Sequence, residues 1–317
     1  MANRRKTVEE ILEIRGRRKS DIPGGELFLR LLHVEHAYKE RNPENKELLR
    51  YFPIAVVACM ETYFRLAVKK LIDSGEPYLT NSHAIMPKAN IGFEVLKALH
   101  GQSITIGDII SHSVPISSLT HLASHMSKLL GVEFLKEVSL IHSRWAVEVL
   151  KQPKQSIILE ADNTFRYVAK TFELRHIFCH ETASNHEFEA EEIEKCFDYS
   201  VLFLKAAEEL VSETLYPDSP LTQTDMNIAS AGEYKKERAH LDSLLSQVSS
   251  LIADKQIPKF REANKAWEMF FQASVEVEGL QYEGGSIRPT IENSAAARLT
   301  KERSVQVSKL IDRIQEH

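Results

Sequence analysis

Arg175, His176 and His180 stand within six residues of one another, in the stretch Phe172-Glu173-Leu174-Arg175-His176-Ile177-Phe178-Cys179-His180-Glu181. Ionisable groups there interrupt a strongly apolar helical pattern. Imidazole titrates near neutral pH and serves as either general base or general acid, each proton transfer being worth roughly 10²–10⁴-fold in rate. A guanidinium held in a partly dry cleft stabilises negative charge that appears only in the transition state. That set of groups suits phosphate chemistry. On a helix, Val168, Phe172, Arg175 and Cys179 recur at i, i+4, i+7 and i+11, so Arg175 is expected on the core-facing stripe. Glu173, His176 and His180 recur at i, i+3 and i+7 on the neighbouring face.

A carboxylate is available to such an arginine. The segment from Glu44 to Asp73 has a stripe of Ile54, Val57, Ala58, Glu61, Phe64, Arg65, Val68, Leu71 and Ile72, in which Glu61 interrupts an apolar face. A lone buried carboxylate or guanidinium is costly, whereas a hydrogen-bonded pair is tolerated. Glu61 is therefore expected to reach toward Arg175 and orient it, the alternative being a glutamate at the margin of a wide helix face.

Arginine followed after four residues by histidine, with the Glu173-Leu174-Arg175 lead-in, a late position in an all-helical domain and an earlier apolar helix carrying one acid, resembles the signature of the HEPN superfamily. Members are helical bundles that often act as metal-independent endoribonucleases. The resemblance implies an RNA substrate, His180 as acid/base, Arg175 as phosphate clamp, and no cofactor or metal. Positions five apart lie about 140° apart around an ideal helix, so one copy does not set the two side chains next to each other. In the family, motif helices from two copies meet across a symmetric dimer, which implies a homodimer with two Arg175 and two His180 at one composite site. His176 occupies a place where many members carry a polar residue that positions the site. A toxin or antiphage effector is the implied role. The other readings are an inactive helical interaction or antitoxin-like module, and an inhibitor or binding protein acting through the C-terminal domain.

The elements that must hold these residues are helices throughout. A chain of 317 residues, 43% hydrophobic and 27% charged, fits a globular protein of two domains. Helices are expected over residues 7–15, 26–41, 44–73, 93–99, 117–131, 132–150, 163–180 and 188–215, with Ile104 to Ile110 as a short turn interrupted by Gly107 and Asp108. Ser20 to Gly25 and Thr182 to Asn185 read as helix-ending turns. Pro53 permits a kink or a fresh start. The first domain runs over 1–216, residues 217–221 form a linker, and a smaller helical domain covers 222–317.

Composition narrows the partners. A net charge of −5 argues against indiscriminate nucleic-acid binding, leaving Arg4, Arg5, Lys6, Arg15, Arg17, Arg18 and Lys19 as the local lure for RNA. Cys59, Cys179 and Cys196 read as reduced core thiols of a cytoplasmic protein. No apolar region follows the basic N-terminus, and no run approaches the length of a membrane span. His121 and His125 at i, i+4 have zinc spacing but no third ligand follows, so no metal is expected.

In the C-terminal domain, Tyr234, Leu241, Leu244-Leu245, Ala266-Trp267, Gly284-Gly285-Ser286-Ile287-Arg288-Pro289 and Leu299-Thr300-Lys301-Glu302-Arg303 resemble, in order and spacing, the LprI-type lysozyme-inhibitor-like domain. That family is commonly exported and usually carries a cysteine pair, near whose places Val275 and Ala295 stand here. A sensing or docking module with a protein or ligand partner is the implied role. Gly284-Gly285 should make a tight turn with positive φ and Trp267 should anchor the core, while Arg303 is either a surface cation or a bridge to a partner.

Overall fold

The computed structural model describes residues 2–17, 25–42, 44–86, 93–101, 103–181 and 187–316. Among them all regular structure is helical, apart from one isolated bridge between His142 and Ser156. The protein is all-α. It divides into two compact units, Met1–Pro217 and Asp218–His317. The two turns expected at Ser20 to Gly25 and Thr182 to Asn185 fall almost wholly outside the described residues.

Unit 1 is built around α3, Lys46–Asp73. Asn45 caps it by accepting the Leu48 N–H, and the helix continues unbroken past Pro53. Of the kink or fresh start that Pro53 permits, the fresh start does not occur: Phe52 and Pro53 are both buried, and packing holds the turn in which proline forfeits one backbone bond. Phe52, Val56, Met60, Tyr63, Phe64, Ala67 and Leu71 are almost fully buried, so the helix is enclosed on several sides. By length and composition α3 is long and apolar enough to cross a membrane, with mean hydropathy 1.3 over its most apolar window, which corrects the reading that no segment approaches that length. Two thirds of that window (67%) is buried, so its role as the axis of unit 1 accounts for its apolarity.

Around α3 lie α1 (Ala2–Gly16), α2 (Gly25–Lys39), the short α4 (Tyr78–Asn81), α5 (Phe93–His100), α6 (Ile106–Ser113), α7 (Leu119–Leu130), α8 (Phe134–Leu140), α9 (Ala161–His180) and α10 (Ala190–Leu215). Phe64 packs its ring against Phe134 and Phe203 at 6.0 and 5.9 Å, joining α3, α8 and α10. Tyr38 of α2 stacks on Phe197 at 4.2 Å with the Arg41 guanidinium over its other face at 3.7 Å.

Two expectations in unit 1 are corrected. Gly107 and Asp108 do not interrupt a turn; they open α6, where Thr105 and Asp108 form a reciprocal capping box. The long helix expected over 132–150 ends at Leu140. A π-turn follows at Trp145–Val149, tied down by the Arg144 N–H donating to Glu209 Oε1 at 3.0 Å and Arg144 Nη1 donating to the Tyr216 carbonyl at 3.1 Å.

Unit 2 consists of α11 (Gln223–Leu251), α12 (Ile257–Leu280) and α13 (Arg288–Gln315). Leu241, Val248, Val307 and Ile311 close α11 on α13, while Phe271 of α12 packs on Ala296 and Leu299 of α13. Trp267 touches both clusters. Gly284 turns the chain between α12 and α13 at φ +75°, a conformation that favours glycine.

Candidate functional site

The candidate residues of unit 1 gather at the C-terminal half of α9 and the facing side of α3. The buried residues of α9 are Thr164, Val168, Thr171, Phe172 and Leu174. Thr171 locks this face to α10 by donating to or accepting from Ser200 Oγ at 3.0 Å. The expected stripe is therefore corrected at its end. Leu174 takes the core position, Arg175 sits at the boundary with its side chain 31% exposed, and Cys179 is exposed. The fully buried arc ends at Leu174, beyond which Ile177 and Phe178 are only partly buried and Cys179 and His180 are exposed.

Glu61 does face Arg175. Arg175 Nη2 donates to Glu61 Oε1 at 3.5 Å, with the glutamate side chain 26% exposed. At that separation and exposure the pair is a loose, solvated contact that sets direction more than stability. Because only one guanidinium nitrogen is engaged, the rest of the fork remains available to an anion. His176 and His180 are both exposed on the adjoining face, their rings 5.2 Å apart and inclined at 51°. Arg50 of α3 stands near, with its guanidinium 5.8 Å from the Phe178 ring and 5.6 Å from Phe188.

Arg175 and the two histidines thus share one end of α9 without converging on a point. Arg175 turns toward α3 and the imidazoles turn outward. Chemically, the surface offers a cation with free donors and two water-accessible groups able to move protons. A phosphate bridging them would need a concave wall from another surface.

A second ionic group was missed by the sequence reading. Lys69 and Asp108 are buried, with Lys69 Nζ 2.7 Å from Asp73 Oδ2 and 3.5 Å from Asp108 Oδ1. Arg15 lies 3.5 Å from Asp108 Oδ2 and donates to the Ser103 carbonyl at 2.8 Å. Arg15, Lys69 and Asp108, with Arg65 and His112, line a cavity of about 50 Å³ between α1, α3 and α6. Arg15 and Lys69 are matched by Asp73 and Asp108, Arg65 donates to the His112 carbonyl at 3.3 Å, and the cluster ties α1 and α6 to the central helix. Arg15 is consequently spent on architecture and not on an RNA lure. Arg17 pairs with Glu13 at 3.3 Å, while the side chains of Arg4, Arg5, Lys6, Arg18 and Lys19 lie outside those described. The legible signal was the Thr105-x-x-Asp108 spacing.

The other candidates are placed as follows. His121 Nδ1 is 3.0 Å from Ser117 Oγ, whereas His125 is half-buried and held below the usual imidazole range by desolvation, with Lys128 and His121 adding to the effect. No group of three His, Cys, Asp or Glu among the described residues is placed to hold a metal. Cys59 and Cys196 are buried thiols, but Cys179 is not, which corrects its assignment to the core. Burial pushes the Cys196 thiol up to about 11.

In unit 2, Trp267 is a half-buried anchor. The Arg303 guanidinium lies 5.8 Å from its ring while Nη2 donates to Asn264 Oδ1 at 3.0 Å and Nη1 to Gln306 Oε1 at 3.1 Å. Arg303 therefore bridges α13 to α12 within the unit. A second polar cluster joins α11 to α13, where Thr290 Oγ1 donates to Asn227 Oδ1 at 2.6 Å and accepts from Gln223 Nε2 at 2.9 Å.

Residues 217–306 match the family model described as "Lysozyme inhibitor LprI", a span under a third of the chain that falls almost wholly within unit 2. No curated protein and no solved structure matches the chain.

Proposed function

We propose that unit 2 is a protein-recognition module of the lysozyme-inhibitor type, and that the chain acts by docking a protein partner through it. The observation that carries this reading is the family match over residues 217–306. Its support is physical as well. The Trp267, Phe271 and Arg303 frame packs α12 on α13 without the cysteine pair usual in that family, Val275 and Ala295 being packed or buried instead. Loss of that pair fits work in a reducing compartment, and we place the protein in the cytoplasm on that ground. The test is titration calorimetry of the full chain against a panel of muramidases, with a cell-wall turbidity assay beside it. Saturable binding lost on Trp267→Ala supports the reading. Absence of binding to every enzyme removes the lysozyme-type partner.

A second reading belongs to unit 1: metal-independent RNA cleavage of the HEPN type. The observation that favours it is the presentation of a half-exposed Arg175, steered by Glu61, beside two exposed imidazoles at the end of α9. In such a reaction one imidazole takes the proton of a ribose 2′-OH, which attacks the adjacent phosphorus. The P–O5′ bond breaks as an acid protonates the departing oxygen, leaving a cyclic phosphate, and the guanidinium stabilises the charge of the transition state. Incubating the chain with total RNA in EDTA tests it. Cleavage should fall by roughly 10²-fold or more on His180→Ala. Equal activity in both proteins, or none in either, discards the nuclease.

A further inference from the structure

The face of α12 turned away from α13 is apolar. Phe270, Val277 and Leu280 are 58%, 62% and 48% exposed, and Ala263, Ala266 and Ala273 between them are exposed as well. These six residues alternate at spacings of three and four along α12, so they form a straight seam of about two and a half heptads, roughly 27 Å long at 1.5 Å per residue. The inward residues, Phe260, Trp267, Phe271 and Val275, occupy the adjoining arc that packs on the rest of the unit. A helix of a compact unit seldom leaves its second face this apolar unless something covers it.

We propose that the occupant is a second copy of this chain, with the two α12 helices pairing antiparallel about a twofold axis lying between Phe270 and Ala273. This proposal does not depend on either functional reading above. Side-chain size is the first argument. In an antiparallel pair each a position meets a d position of the other helix. In one register Phe270 lies opposite the partner's Ala273, Val277 opposite the partner's Ala266, and Leu280 opposite the partner's Ala263. Every layer then sets a large side chain against an alanine, as close interdigitation of helices requires. Parallel pairing would stack Phe on Phe and Ala on Ala, alternating crowded layers with voids.

Charge is the second argument. Lys265 and Glu276 flank the same edge of the seam, and both are exposed. The antiparallel register sets Lys265 beside the partner's Glu276, twice by symmetry. A parallel pair would carry that edge of the two helices to opposite sides of the interface and leave both charges without a partner there. No foreign partner would impose such symmetry on α12. The seam is shorter than the three to four heptads of a free-standing coiled coil, so the expected dimer is reversible and concentration-dependent.

Sedimentation velocity of the full chain over roughly 1–100 µM is the test, that range spanning reversible association. The expected result is a monomer–dimer equilibrium that Phe270→Glu weakens at least about tenfold, with circular dichroism unchanged because the side chain is 58% exposed. Lys265→Glu and Glu276→Lys should each weaken the dimer, and the double variant should restore it. A chain monomeric throughout overturns the proposal, including the case in which Phe270→Glu lowers stability because unit 1 covers the seam. So does a dimer indifferent to Phe270→Glu, which would assemble elsewhere. Failure of the double variant to restore association overturns the antiparallel register.

Discussion

Unit 1 buries most of its apolar residues in one large core around α3, from Leu31 in α2 to Val211 in α10, with a small satellite of Ile11, Val95 and Ile104 apart from it. Unit 2 divides a far smaller set between two clusters that meet at Trp267. The first can be stable without help, because each helix covers its neighbours and the central one is enclosed. The second is an assembly of three long helices whose thin core leaves a whole face of α12 uncovered. The contrast suggests a division of labour in which unit 1 is a self-sufficient body and unit 2 gains from whatever it binds.

Four perturbations would break or sharpen that contrast. Phe64→Ala removes the ring that joins Phe134 and Phe203, and should cost unit 1 about 3–5 kcal/mol. Urea denaturation followed by circular dichroism should then show two transitions, with the unit 2 transition unmoved. One shared transition would mean that the two units unfold together. Trp267→Ala should cost unit 2 about 2–3 kcal/mol, less than a fully buried aromatic because the ring is only half-buried. Its effect should be confined to the second transition.

Thr105→Ala removes the reciprocal cap of α6 and should lower the unfolding free energy of unit 1 by about 1 kcal/mol. A loss several times larger would show that the Lys69, Asp73 and Asp108 network depends on that cap. The smallest effect concerns pH. Burial holds His125 below its ordinary range, so the folded chain keeps it neutral while the unfolded chain binds a proton as pH falls through about 6.5. Its contribution is therefore complete above that pH and is lost below it, toward the lowered folded value. The unit 1 midpoint should drop between pH 7.5 and 5.5, and His125→Phe should flatten the drop. An unchanged slope would assign the acid sensitivity to another group.

The helices of both units were legible because long apolar periodicities leave few alternatives. The approach of Glu61 to Arg175 was legible for an electrostatic reason: two charges interrupting apolar faces need each other. Gly284 could be read from the conformational freedom its turn requires, and Trp267 from its size. The errors share a cause. Arg175 and Cys179 fit the core periodicity of α9, yet periodicity does not reveal how far along a helix burial extends, and Leu174 takes the inner place. Gly107 and Asp108 read as helix breakers because propensity was weighed without the Thr105 cap. The outer face of α12 escaped notice because a helix apolar on both sides gives no sign of which side its own unit will cover.

The placement of the thiols has a practical consequence. Two of the three cysteines are buried, burial pushing both upward, and the third stands at the water surface one residue before His180. A maleimide dye at neutral pH should therefore modify Cys179 in native protein without engineered mutations. Fluorescence from that label would report directly on any RNA, peptide or second subunit arriving at the end of α9.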